Sequence, residues 1–176
     1  MEGGLQKPTR FSIDWKNQDY LNEELFEKEL RRVSDHCHGC RRCVSLCNSF
    51  PTLFDLIDES KTFEVDGVTY DQFDKVIDHC YLCDLCYLTK CPYVPPHDWG
   101  IDFPHLMLRG KAIKHSKSKT SIRDKILTST DMLGKLGSRK IIAPIINYFN
   151  EIKIFRIILE KILRIHRNAK LPKFSS

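Results

Sequence analysis

The eight cysteines of this chain fall into two short runs, and their spacing constrains the fold more than any other feature. The first run reads C-x2-C-x2-C-x3-C, and the second reads C-x2-C-x2-C-x4-C and is followed by Pro92. Three thiolates at steps of three residues on one turning loop can each reach a different iron of a cubane. The spacing therefore predicts two [4Fe-4S] clusters that lie close together. The cysteines concerned are Cys37, Cys40, Cys43 and Cys47 in the first run, and Cys80, Cys83, Cys86 and Cys91 in the second.

The fourth cysteine of each run is predicted to bind the cluster of the other run. Cys37, Cys40 and Cys43 would then hold one cluster together with Cys91. Cys80, Cys83 and Cys86 would hold the other together with Cys47. Crossed ligation of this kind ties the two runs together, so neither half of the chain is expected to hold its cluster well alone.

Zinc and disulfide bonds are the alternative uses of such cysteines. A structural zinc site takes four ligands from two knuckles, which leaves the third cysteine of each run without a role. Disulfides suit small secreted domains, and residues 1–7 lack the apolar stretch of a signal peptide. Iron–sulfur ligation is therefore the preferred interpretation, and a cytoplasmic location is expected.

Several charged or titratable residues flank the two runs. His36, His38 and His79 are expected to lie outside the ligand set, where they could donate hydrogen bonds to sulfur. Arg41 and Arg42 in the first run would raise a reduction potential electrostatically. All five side chains could equally point to water.

Charge is divided unevenly along the chain. Residues 1–104 hold 11 Lys and Arg against 19 Asp and Glu, a net charge of −8, whereas residues 105–176 hold 17 against 4, a net charge of +13. A basic region of this kind suits nucleic acid, an anionic membrane surface or an acidic partner protein. Nucleic acid is the weakest of these, because the region lacks interleaved aromatic residues and a base-reading motif. No segment is apolar for long enough to span a membrane.

The apolar pattern predicts a mainly α fold. Helices are expected over residues 22–30 and 71–79, and a helix near Cys47 should fail at Pro51. Asp66-Gly67 between apolar residues predicts a short β-hairpin. Three amphipathic helices are expected in the tail, over residues 121–133, 141–149 and 152–163, with Gly134 as the stop of the first. The predicted division is a two-cluster ferredoxin-type domain at 1–110 and a basic helical extension at 111–176.

Two sets of apolar residues have more than one interpretation. The apolar stripes of the tail helices favour core packing, although docking on a membrane surface or on another subunit would give the same pattern. The apolar residues between the cysteines of the second run are expected to pack in the core and to form a dry wall around the metal. These residues are Tyr81, Leu82, Leu85, Tyr87 and Leu88.

Residues 34–109 resemble the iron–sulfur subunits of heterodisulfide-reductase-like oxidoreductases, a group that includes those of anaerobic glycerol-3-phosphate dehydrogenase and glycolate oxidase. The stretches that carry the resemblance are HCHGCRRCVSLCNSFPTLFD, HCYLCDLCYLTKCPYVPPHDW and IDFPHLMLRGKA, and DMLGKLGS with LRIHRNAKLPKF is similar to the region that follows in that family. Members typically continue into cysteine-rich modules with a CCG signature, whereas this chain has no cysteine after Cys91.

The resemblance implies single-electron relay between a flavin-binding or CCG-type subunit and an acceptor such as a quinone-linked partner, and a position that is cytoplasmic or peripheral at the inner face of the membrane. It implies a subunit of an oxidoreductase rather than a complete enzyme. The rival hypothesis is a non-redox module, in which metal clusters staple a fold that presents the basic tail to nucleic acid or an anionic membrane.

Overall fold

The computed structural model describes residues 7–117 and 121–175, and within these ranges the fold is mainly helical and contains no strand. The predicted mainly α class is therefore confirmed. The chain divides into two compact units, Met1–Lys119 and Thr120–Ser176. The α-helices are α1 (Glu23–Cys40), α2 (Ser49–Asp58), α3 (Phe73–His79), α4 (Phe103–Ser116), α5 (Ile122–Thr128), α6 (Thr130–Gly137), α7 (Ile142–Glu151) and α8 (Lys153–Leu163).

The core of the first unit is built from helices α1 to α4, each of which buries one apolar face. Helix α1 packs on α4, and α2 packs on α3. Gly110 lets α4 approach its neighbours closely, because a Cβ atom there would lie 2.8 Å from Cζ of Phe26 and 2.9 Å from Cδ1 of Ile77. Other fully buried side chains of this core are Leu30, Phe50, Leu53, Ile57, Phe73, Val76 and Met107.

Helix α1 is longer than predicted and carries the first two cysteines. Asn22 begins it, since its side chain accepts a hydrogen bond from the backbone N–H of Leu25. The helix then continues to Cys40. Cys37 and Cys40 lie about one turn apart at its C-terminal end. Arg41 ends it in the left-handed conformation, with φ of 50°, and donates its backbone N–H to the carbonyl of Cys37 at 2.8 Å.

Helix α2 begins two residues after Cys47 and contains Pro51, so the prediction that the helix would fail at this proline is wrong. Pro51 occupies the third position of the helix, where its missing N–H would have had no partner inside the helix. Ser49 anchors the same turn, because its hydroxyl donates to the buried carbonyl of Val76 at 2.7 Å. The start of α2 is thereby fixed against α3.

The predicted β-hairpin at Asp66-Gly67 is also wrong, because residues Val65–Gly67 form a 3-10 turn. Val65 and Val68 lie three residues apart and are both buried, whereas a strand would have sent them to opposite faces. Their carbonyls accept hydrogen bonds from Nη1 of Arg31 at 3.0 and 3.1 Å. The guanidinium of Arg31 therefore satisfies carbonyls that a strand partner would otherwise bond.

Residues 121–175 of the second unit form four short helices, where three were predicted. The helix expected over residues 121–133 breaks at Ser129, and α6 then runs past Gly134, which does not stop it. The hydroxyls of Thr128 and Ser129 bond the carbonyls of Asp124 and Lys125, four residues earlier. Such bonds compete with the helix and bend it. Helices α7 and α8 form as expected, with Pro144 in the first turn of α7.

Core packing accounts for only part of the apolar stripes of the second unit, since Phe155, Leu159 and Leu163 of α8 are partly buried. Ile154, Ile158 and Ile162 follow one another at steps of four on α8, and all three are exposed. Ile141, which precedes α7, and Ile145, which lies in it, are likewise exposed. Four short helices offer little surface against which such stripes can be buried.

Candidate metal centre

All eight cysteines lie in the first unit, on the elements that meet at one end of α1 and α2. Cys37 and Cys40 lie on the last turns of α1, Cys43 and Cys47 on the loop to α2, and Cys80 at the end of α3. Cys86 begins a π-helical turn, Cys86–Lys90, and Cys91 follows it. Cys80 is 8% exposed, Cys83 is exposed, and the other six are partly buried.

One small cavity brings together thiols from both runs. Cys37, Cys40 and Cys43 line it, and Cys91 reaches it from the second run. Between the thiols the wall is mostly apolar or aromatic. It includes Phe50, Phe54, Pro92, Tyr93 and Ile101. These are the four cysteines that the sequence predicts for one cluster.

The remaining cysteines are neighbours of one another. Burial is the main cause that raises the pKa of Cys80, and the charges of Cys47 and Cys83 add to it. Burial also raises the pKa of Cys86, followed by the charges of Cys43 and Cys80 and then of Cys47. A second cavity joins the two sets, since Cys86 shares it with Cys37, Cys43 and Cys91 of the first. Within residues 7–117 and 121–175, no three His, Cys, Asp or Glu side chains converge as they would around a single ion.

Burial acts on the thiols in the direction that disfavours their ionisation. It raises the pKa of Cys37 well above its usual value, and the nearby charges of Cys91 and Cys43 raise it further. Burial followed by the charges of Cys91 and Cys40 raises the pKa of Cys43 to about 12. Thiolates gathered here need a positive centre to offset their charge, which a metal cluster supplies. The donor set and its dry wall therefore fit an iron–sulfur cluster.

The loop of the second run has an unusual backbone. Leu82 and Asp84 both adopt positive φ, at 56° and 61°. For residues other than glycine this conformation costs about 1–3 kcal/mol each and persists only where the surroundings enforce it. These two residues lie on either side of the exposed Cys83.

Arg10 holds this loop in place from the distant N-terminal segment. Its Nη1 and Nη2 donate to the two carboxylate oxygens of Asp84, both at 2.9 Å, and its Nε donates to Asp102 at 2.8 Å. Its guanidinium also lies 4.0 Å from the ring centre of Tyr87. Arg10 lowers the pKa of Asp84, chiefly through these hydrogen bonds. We call Arg10, Asp84, Asp102 and Tyr87 the Arg10 clamp.

The flanking histidines and arginines differ in their surroundings. His36 lines the first cavity and stacks on Trp99 with ring centres 4.2 Å apart, and burial lowers its pKa. His38 contacts the guanidinium of Arg41 at 2.8 Å, and Arg41 also bonds the carboxylate of Asp58. His79 and Arg42 are exposed.

The sequence predicts that the apolar residues of the second run pack in the core, and only some of them do. Tyr87 is buried and Leu82 packs partly against the core. Tyr81, Leu85 and Leu88 are instead 76%, 49% and 65% exposed. All three lie within five residues of the exposed Cys83 along the chain. We call Tyr81, Leu85 and Leu88 the Cys83 patch.

Sequence reasoning found the cysteines but missed the Arg10 clamp and the stacking of His36 on Trp99. Arg10 and Asp84 are 74 residues apart, and no local pattern connects them. A carboxylate between Cys83 and Cys86 was the one available signal. In the described ranges no helix is both long and apolar enough to cross a bilayer.

Part of the chain is similar to citrate utilization protein B of Escherichia coli. The two sequences are 31% identical over 81 residues, and the match covers 46% of this chain. The chain thus corresponds to only 19% of the length of that relative. No protein-family model matches the chain, and no solved structure matches it significantly.

Proposed function

We propose that this protein transfers single electrons through two [4Fe-4S] clusters as a subunit of an oxidoreductase complex of the heterodisulfide-reductase-like kind. Cys37, Cys40, Cys43 and Cys91 hold one cluster, and Cys47, Cys80, Cys83 and Cys86 hold the other. A bound cluster supplies reversible one-electron redox chemistry. The observation that carries the proposal is the cavity lined by four thiols from both cysteine runs.

The chain supplies ligands, insulation and docking surface. Phe50, Phe54 and Ile101 exclude water from the first set of thiols. The second set is more open, because Cys83 is exposed. Electron exchange with a partner therefore takes place at the second set, while the first set is the more insulated. The second cavity, shared by Cys86 and three thiols of the first set, brings the two sets within short range.

The partner is a flavin-binding or CCG-type subunit that covers the Cys83 patch. Three exposed apolar side chains beside a redox ligand suit a protein surface, since an apolar contact excludes water from the point of transfer. Two exposed cations occur within the cysteine runs, Arg42 in the first and Lys90 in the second. A partner with acidic groups around an apolar centre complements this surface. A position at the inner face of the membrane, through the basic second unit, is part of the same proposal.

The cofactor is tested by anaerobic purification of the full chain. We expect about eight iron and eight acid-labile sulfide per chain. Stoichiometric zinc without sulfide would refute the proposal. Redox titration followed by electron paramagnetic resonance then separates relay from a structural role. Reversible one-electron reduction of both clusters supports relay, whereas inert clusters with salt-sensitive nucleic-acid binding support the non-redox module.

A further inference from the structure

The second unit contains a cavity of about 630 Å³ that the electron-transfer proposal does not use. It lies between helices α7 and α8 and the C-terminal segment at residues 167–173. Its size falls within the range of small-molecule sites. Apolar residues such as Ile157 and Leu171 form part of the wall, and five cations and one carboxylate supply charge. The charged residues are Lys153, Arg156, Arg167, Lys170, Lys173 and Glu151.

Arg156 is the most unusual of these residues, because its side chain is buried and has no ion pair with any residue of 7–117 or 121–175. It is only 7% exposed. Its Nε and Nη2 donate to the carbonyls of Arg167, His166 and Ala169. Nη1 is buried and has no hydrogen-bond partner among the described residues. A buried guanidinium normally has its donors paired and its charge compensated.

The other charges around the cavity leave a positive excess. Glu151 is paired with Lys173 at 2.9 Å, and the neighbouring Glu160 is paired with Arg167. Within residues 121–175, Lys153 and Lys170 have no ion pair. The cavity is thus lined by two lysines without an ion pair and by the buried guanidinium of Arg156, among apolar and uncharged polar residues.

We propose that this cavity binds a small organic anion whose phosphate or carboxylate groups pair with Lys153 and Lys170, beside the buried positive charge of Arg156. Lysine supplies point charges to such oxyanions, and the guanidinium of Arg156 adds positive charge at the cavity wall. Ile157 and Leu171 contact the apolar body of the ligand. The site lies in the second unit and does not depend on the clusters.

The test is equilibrium binding of two probes to the full-length protein, measured by isothermal titration calorimetry. Pyrophosphate represents phosphate ligands, and malonate represents carboxylates. The double variant Lys153→Gln/Lys170→Gln should weaken binding of the preferred probe about tenfold or more. Lys161→Gln is the matched control, because Lys161 is an exposed lysine on α8 that does not line the cavity, and it should leave binding unchanged.

Arg156→Met is the second variant, with circular dichroism to confirm that the second unit still folds. It should also weaken binding, and if it unfolds the unit the lysine pair decides the matter alone. Equal loss in the lysine pair and in Lys161→Gln would overturn the proposal, because it would indicate a general effect of positive charge. Absence of binding to both probes would overturn it as well. Binding only to phosphatidylglycerol vesicles would replace the cavity with a membrane-docking surface.

Discussion

At the scale of single residues, the two fourth cysteines test how the clusters are held. Cys91 lines the cavity of the first run, and Cys47 neighbours Cys80 and Cys86. We expect Cys91→Ser to damage the cluster of Cys37, Cys40 and Cys43, and Cys47→Ser to damage the other. Electron paramagnetic resonance of each variant distinguishes the two clusters. If each substitution instead removes the cluster of its own run, the crossed ligation is wrong although two clusters remain.

The Arg10 clamp gives a second prediction at this scale. Arg10→Gln removes charged hydrogen bonds to Asp84 and Asp102, so we expect the unfolding free energy to fall by about 1–2 kcal/mol, discounted for partial exposure. The strained turns at Leu82 and Asp84 should then relax, and the cluster held by Cys80 and Cys83 should be lost faster to a chelator.

Absorbance after addition of the chelator measures that loss. Lys16→Gln is the control, because Lys16 is an exposed cation of the same N-terminal segment and bonds neither Asp84 nor Asp102. A rate of cluster loss in Arg10→Gln equal to that of Lys16→Gln would show that the clamp does not hold the loop.

At the scale of elements, Gly110 controls how closely α4 packs. A methyl group at this position would meet Phe26 and Ile77 below 3.0 Å. We expect Gly110→Ala to destabilise the first unit by about 1–3 kcal/mol, as overpacking does. Gly134→Ala is the control, since a Cβ on this glycine of α6 meets nothing within 4 Å and should be neutral or stabilising. Thermal unfolding followed by circular dichroism measures both, and an unchanged midpoint in Gly110→Ala would contradict the packing described.

The Cys83 patch belongs to the π-helical turn and the loop before it. The double substitution Leu85→Glu/Leu88→Glu adds two charges to the surface that we expect the redox partner to cover. Electron transfer between this protein and the flavin-binding or CCG-type subunit should therefore slow at least tenfold. Cluster content should not change, because both side chains are exposed. Stopped-flow reduction of the clusters measures the rate.

Ile154→Glu/Ile158→Glu is the matched control, since it places the same two charges on an exposed apolar stripe of the second unit. A rate unaffected by the Leu85 and Leu88 substitutions would move the docking surface elsewhere on the molecule.

At the scale of the whole molecule, the charge changes sign near the start of α4, and the second compact unit begins after its end. Residues 105–176 carry a net charge of +13, and the second unit exposes apolar stripes. Ile113 is buried in the first unit, so a deletion that tests the tail must begin beyond α4. We expect removal of residues 121–176 to leave both clusters loaded and to weaken association with the acidic partner or membrane.

Association of the intact protein should fall as salt rises, because the Debye length is only about 8 Å at physiological ionic strength. Co-sedimentation with anionic vesicles and pull-down of the redox subunit, each at low and high salt, measure this dependence. Loss of the clusters on deletion would instead show that the tail is needed to form the metal centre.

The sequence by itself determined the parts of this protein that depend on neighbours along the chain. The spacing of the cysteines, the helical periodicity and the split of charge are local properties, and they predict the mainly α fold and the candidate ligands. Local patterns failed where a distant side chain intervened. Val65 and Val68 form a turn rather than a hairpin because Arg31 bonds their carbonyls from α1.

The contacts that the sequence did not predict depend on how whole helices pack. They join Asp84 to Arg10, leave Leu85 and Leu88 exposed and bury Arg156 beside a cavity. Packing sums many weak interactions across the core, and no short stretch of sequence carries that sum.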